Sequence, residues 1–146
     1  MNGFAALGVL LGLIAVVTAA GLAWRATTGR VRTRSNGEIV EPADVDAEAF
    51  GRRATLLQFS TDFCAPCRST ARVLGGTADQ LDGVRHVEVD LTHRPELAGR
   101  FGILQTPTTL VLDAGGAVRA RIGGAVRPDA VRATLHTILG SDHASA

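Results

Sequence analysis

Hydrophobic and polar positions divide the chain into one long apolar run followed by a series of short periodic segments. From Gly3 to Trp24 no residue is charged. At about 1.5 Å rise per residue the run is roughly 33 Å long, enough to cross a hydrocarbon core of about 30 Å. It predicts a transmembrane anchor over residues 1–24. A cleaved secretory signal, with Ala19, Ala20 and Ala23 as the small residues, is the competing reading, but the positively charged n-region is missing. A buried helix of a soluble protein fits less well, because the run has almost no polar face.

Beyond a polar linker (25–43), the folded domain is expected over 44–140. The stretch "DVDAEAFGRR" reads as a short helix with acids in its first turn. "ATLLQFS" (54–60) reads as a central strand covered on both faces. Cys67, Ala71, Leu74, Ala78 and Leu81 mark one face of a helix. Gly75 and Gly76, at about 1 kcal/mol each relative to alanine, predict a bend or loosened turn within it. "VRHVEVD" (84–90) reads as a second strand, and "RPELAGRFG" as a short helix ending near Gly102.

"TTLVLD" and "AVRARI" form a hairpin across "AGG", with Val118, Ala120 and Ile122 inward and Arg119 and Arg121 outward, as in a half-exposed or edge strand. A last helix starts near Pro128, buries Val131, Leu135, Ile138 and Leu139, and stops before Gly140. "SDHASA" (141–146) reads as a flexible tail. A strand-helix-strand unit followed by a hairpin predicts an α/β fold, a mixed sheet with helices on both faces.

Charge adds an orientation. Arg25, Arg30, Arg32 and Arg34 follow the apolar run directly, and no basic residue precedes it. The positive-inside bias then puts the C-terminal domain in the cytoplasm of a single-pass plasma-membrane protein, with the arginines suited to anionic headgroups. Of 15 basic residues, 11 remain to face all 14 acids. The folded part is thus net negative, the wrong sign for binding nucleic acid.

The only two cysteines, Cys64 and Cys67, lie in "FSTDFCAPCRST" (59–70). If the strand ends near Ser60 and the helix starts near Pro66, Cys64 sits at the helix mouth and Cys67 in its first turn. Free backbone N–H groups and the helix dipole favour an anion there, so Cys64 is the expected nucleophile and Cys67 the resolving thiol. Pro66 suits a first turn, where its missing N–H had no partner. A static bridge closing so small a loop would restrain little of the unfolded chain. A structural zinc needs four ligands, and only His86 and His93 remain, at a distance. His86 is expected on the exposed face of its strand, His93 in a loop, and Asp62 as a solvated loop charge. No metal and no cofactor beyond a redox-active Cys64–Cys67 disulfide is expected.

"FSTDFCAPCRST" after an apolar strand, with "GILQTPTTLVLD" some 40 residues on, resembles the thioredoxin family over about residues 44 to 140. The resemblance implies a thioredoxin-like fold and a cis Pro107 against the cysteine pair. It also implies a Thr106 backbone edge for an extended substrate, with Phe63, Ala65 and Pro66 around it. Phe63 stands where thioredoxins usually carry Trp, Ala65 where Gly is common, and Gln58 where a buried Asp is thought to assist proton transfer at the second cysteine. Gln58 cannot titrate, so that proton must travel through water or another group, unless Gln58 is simply a hydrogen-bonded buried amide.

The expected function is a membrane-anchored thiol-disulfide oxidoreductase. It would reduce protein disulfides with electrons from an upstream thiol reductant, and residues 3–24 would contact membrane lipid. A non-catalytic adaptor or redox sensor using the Thr106–Pro107 surface is the alternative from another class. An extracytoplasmic reductant-delivery protein is the alternative among enzymes.

Overall fold

A computed structural model describes residues 3–27, 31–33 and 37–141. Arg30, Arg34 and the tail from 142 onward lie outside these. The apolar run is a single helix, α1 (Gly3–Thr27), with none of its candidate span buried. Being apolar on every side and covered on none, it could cross a membrane.

The folded part is built on a 5-stranded sheet in the order β1-β5-β4-β2-β3. Its strands are β1 (Val31–Arg32), β2 (Ala54–Ser60), β3 (Val84–Asp90), β4 (Thr108–Asp113) and β5 (Val118–Gly123). β2 runs parallel to β3 and antiparallel to β4, as the expected strand-helix-strand unit and hairpin require. All of β2 is buried, as its mostly apolar run suits for a strand covered on both faces.

Two cores follow from the sheet's two faces. On one, α2 (Ala65–Ala78) and α4 (Pro128–Ser141) bring Leu74, Val131, Leu135 and Ile138 onto Leu56, Val111 and Ile122. On the other, α3 (Pro95–Arg100) and the segment around Val40 and Val45 cover Leu57, Phe59, Leu110 and Leu112. Phe59 and Phe101 stack there at 5.4 Å. The mixed α/β sheet with helices on both faces is therefore what forms.

Five local expectations fail, most of them for a tertiary reason. The helix expected in "DVDAEAFGRR" is a single 3-10 turn, Pro42–Val45, that stops at Asp46 in the left-handed region (φ 53). Beyond it the backbone donors go sideways rather than along a helix, Gly51 to the Thr55 hydroxyl (2.9 Å) and Arg53 to the Gly83 carbonyl (2.8 Å). Helix α2 also runs unbroken through Gly75–Gly76. Packing against the sheet outweighs the roughly 1 kcal/mol that each glycine costs.

In β5 a register shift opposite Val111 and Leu112 leaves Arg119 as an extra residue. Such a bulge reverses the side-chain alternation, so Val118 joins one core while Ala120 and Ile122 join the other. Nor is β5 an edge. Val31 and Arg32 pair with Ile122 and Arg121, and Ile39 bridges Ala117. Finally, α4 continues through Gly140 to Ser141.

Two fully buried hydroxyls, Thr70 Oγ1 and Thr109 Oγ1, have no hydrogen-bond partner among the described residues. An unmet buried hydroxyl costs about 1–3 kcal/mol. Thr109→Val, which keeps the shape and removes the unmet group, is expected to raise stability by about 1 kcal/mol. Urea denaturation would show the gain as a higher midpoint at unchanged slope, and a lower midpoint would mean that the hydroxyl is satisfied.

Candidate functional site

The site forms where buried β2 ends and α2 begins. Cys64 is the N-cap of α2, in extended conformation, with Ala65 and Pro66 as the first helical residues. The Cys67 N–H donates to the Cys64 carbonyl at 3.1 Å, so Cys67 lies inside the first turn. The two sulfurs are joined in a disulfide of 2.01 Å, with Cα atoms 5.3 Å apart. Cys64 keeps 9% of its surface and Cys67 only 3%, while Phe63, Ala65 and Pro66 around them are exposed. Cys64 is thus held at the N-terminal end of α2, where the helix dipole stabilises a thiolate once the bond is reduced, and Cys67 lies behind it in the first turn.

Behind the pair lies an arrangement that periodicity alone did not show. Gln58 is completely buried; its Nε2 donates to the Cys67 carbonyl (3.0 Å) and its Oε1 lies 3.0 Å from His86 Nε2. Gln58 is therefore a satisfied amide that ties β2, β3 and the first turn of α2 together. His86, expected on an exposed strand face, is instead half-buried in that tie. A signal existed in the sequence: in a parallel pair starting at Ala54 and Val84, His86 falls beside Leu56, two residues from the Gln58 row and so on the same face, the α2 side.

Burial pushes the His86 imidazole below its ordinary value, against the opposing pull of Glu88 and Asp79. The folded state then binds the His86 proton less readily than the unfolded chain does. Stability from this group is fully present above about pH 6.5 and declines as pH falls through that value towards the lower folded pKa. Urea midpoints measured from pH 8 to pH 5 should fall through this window, and His86→Gln should flatten that part of the profile. An unchanged slope in the variant would assign the effect to other groups.

A second loop completes the site. The Thr106–Pro107 bond is cis. The hydroxyls of Thr106 and Thr61 lie 3.3 Å apart, joining this loop to the one that carries Cys64. The Pro107 carbonyl accepts from the Gly124 N–H at 2.8 Å, and the Thr108 hydroxyl donates to the Gln105 carbonyl at 2.7 Å. The Thr106 main chain itself has no hydrogen-bond partner among the described residues. Thr61 was not anticipated as part of the site, since a polar loop residue carries no periodic signal.

On the β3 side the cysteines border an open cleft of about 420 Å³ lined by Asp62, Arg68, Glu88 and Asp90. Asp62, Asp90 and His93 bring their donor atoms within 4.8 Å of one another at its rim. Asp90 accepts from the Thr92 N–H (2.8 Å), and the Thr92 contacts hold its carboxyl below the usual range. This flank is acidic and solvated.

The sequence model of the Thioredoxin family matches residues 41–137. The chain belongs to the thioredoxin family. Among its relatives, the thioredoxin of Bacillus subtilis (strain 168) is 33% identical over 69 residues, 47% of this chain and 66% of that protein. Thioredoxin 1 of Nostoc sp. is 32% identical over 69 residues, 47% of this chain and 64% of that protein. The matched stretch thus spans slightly less than two thirds of these relatives. Among solved structures, a mutant thioredoxin from Halobacterium salinarum NRC-1 superposes with a TM-score of 0.55 at 23% identity, covering 66% of this chain and 80% of that one. Fasciola hepatica thioredoxin gives 0.51 at 25%, covering 60% and 82%. The thioredoxin-like fold is thus shared, and α1 precedes the segment matched by the family.

Proposed function

We propose that this chain is a membrane-tethered thiol-disulfide oxidoreductase that reduces disulfides in partner proteins. The observation that carries the reading is the Cys64–Cys67 disulfide at the N-terminus of α2, with Cys64 as N-cap. In the reduced form, the Cys64 thiolate attacks one sulfur of the partner's disulfide. A Cys64–partner bond forms, the partner's S–S bond breaks, and the second partner sulfur leaves as a thiolate that takes up a proton. Cys67, having lost its own proton, attacks the Cys64 sulfur and releases the other partner thiol. Two electrons have passed to the partner, and the chain is left with the Cys64–Cys67 bond seen here. An upstream dithiol restores the reduced state by the same exchange in reverse, so no further cofactor is called for.

The surrounding residues fit that cycle. The unpaired Thr106 main chain beside cis Pro107 offers an extended partner segment a strand edge. Phe63, Ala65 and Pro66 form the exposed rim it would cross. α1 supplies the tether, and Arg25, Arg30, Arg32 and Arg34 orient it with the domain in the cytoplasm, where the thiol pool keeps such a dithiol reduced.

The test is turnover. The detergent-solubilised full chain with a dithiol donor should reduce a protein disulfide well above the rate of the donor alone; no excess rate would sink the activity. Sidedness is read separately in intact cells after reduction of their thiols. A membrane-impermeant maleimide should label Cys64 only after lysis, and labelling before lysis would reverse the orientation.

A further inference from the structure

The register of β1 fixes where the tether joins the domain. Val31 pairs with Ile122, Ile122 with Thr109, and Thr109 with Gln58, so Val31 lies in a row just below the end of β2 that leads to Cys64. From there the chain runs away from the site. Arg32 pairs with Arg121, and Ile39 bridges Ala117 at the opposite end of β5. The Val40 N–H to Gly116 carbonyl bond (2.9 Å) and the Val118 N–H to Glu38 carbonyl bond (2.9 Å) fasten that far end too. Residues 31–32 and 38–40 are therefore docked along the sheet edge, and the apolar helix is attached at the end that bears the cysteines.

Chain length decides what this means. The path from Thr27 at the end of α1 to Val31 cannot exceed about 14 Å, whereas β5 alone is about 20 Å long. Three strand spacings, about 14 Å, separate β1 from β2. A tether that short, attached at that end, cannot let the domain turn its far end to the bilayer.

Surface chemistry at the same end agrees. Phe63 and Leu104 are 98% and 97% exposed, more than any other large apolar side chain among the described residues. Leu104 shares a groove with Val31, Arg32, Gln105 and Arg121, the very place where the tether arrives. An apolar tip beside arginines suits the headgroup layer of an anionic bilayer. The acidic flank of Asp62, Glu88 and Asp90 lies across the sheet on the β3 side, farthest from β1.

We propose that the Cys64–Cys67 end faces the bilayer, Leu104 side down, and that its substrates are disulfides carried within a few residues of the membrane surface in membrane proteins. This rests on the tethered oxidoreductase reading and narrows its substrate class. Soluble protein disulfides presented far from the bilayer would be poor substrates of the inserted chain, although the solubilised chain still reduces them.

Two measurements on the full chain in anionic vesicles test it. In a Trp24→Phe background, Leu104→Trp should lose most of its emission in lipids brominated near the glycerol, and Ala114→Trp, in the turn at the far end of the sheet, should keep its own. In the unsubstituted chain, a disulfide peptide held at the headgroups by a short lipid anchor should be reduced severalfold faster than the same peptide on a long polymer spacer. Equal quenching at both positions, no quenching at Leu104 in a chain that resists carbonate extraction, or faster reduction on the long spacer would each overturn the proposal. Extraction by carbonate would remove the tether on which it stands, and absence of turnover in detergent would instead remove the reaction.

Discussion

Cys64→Ser is expected to abolish disulfide reduction, whereas Cys67→Ser should retain the first step and accumulate a covalent adduct with the partner. The argument starts from the helix. Cys64 is the N-cap and Cys67 the third residue of the first turn, so only Cys64 stands outside the turn, at the positive end of the α2 dipole. A serine hydroxyl there is not ionised at neutral pH and forms no bond with sulfur that a disulfide exchange can use, so the loss is about three orders of magnitude or more. Replacing Cys67 leaves the nucleophile in place and removes the group that cleaves the adduct. Non-reducing gels of the Cys67 variant with an oxidised partner should show a band that a thiol reductant removes. Equal residual turnover in the two variants would mean that the cysteines do not have separate roles.

The same residues show why so much of this site could be read from the chain. An apolar strand, a Cys-x-x-Cys at its end, a helical face and a Thr-Pro before another strand are all local patterns, and each depends on neighbours within a few residues. What stayed hidden depended on partners far along the chain. Thr61 meets Thr106 across 45 residues, and His86 meets Gln58 across 28. The segment from 44 to 53 looked helical because its acids suit a first turn. It is not, because the backbone turns left-handed at Asp46 and the Gly51 and Arg53 donors go to the Thr55 hydroxyl and the Gly83 carbonyl.

Residues 44 to 46 serve another purpose. Arg100 bonds Asp44 at 2.7 Å, Arg94 bonds Asp46, and these pairs clasp the 3-10 turn to α3. The linker likewise looked featureless because two residues of β1 carry no period. Only the facing edge of β5 makes a strand of them.

Gln58→Ala should be strongly destabilising while leaving both sulfurs in place, costing about 3–4 kcal/mol of stability. Part of that is the cavity left by a fully buried side chain between β2, β4 and α2. The rest is two lost hydrogen bonds, one to the Cys67 carbonyl and one to the half-buried His86 Nε2. Gln58→Leu separates the two, since it fills the space without restoring the hydrogen bonds, so it should recover only part of the loss. His86→Ala alone should cost less than Gln58→Ala, because Gln58 keeps its bond to the Cys67 carbonyl. In a double-mutant cycle the pair should couple by about 1 kcal/mol.

The consequence for chemistry follows from the same bonds. Gln58 grips the carbonyl of the residue that must resolve the adduct, so loosening it should slow release of the partner more than attack upon it. In single-turnover experiments with the Gln58 variants, adduct formation should stay near the wild-type rate while its decay slows. Slowing of both steps by one factor would reduce Gln58 to a packing residue, with no hold on the second cysteine.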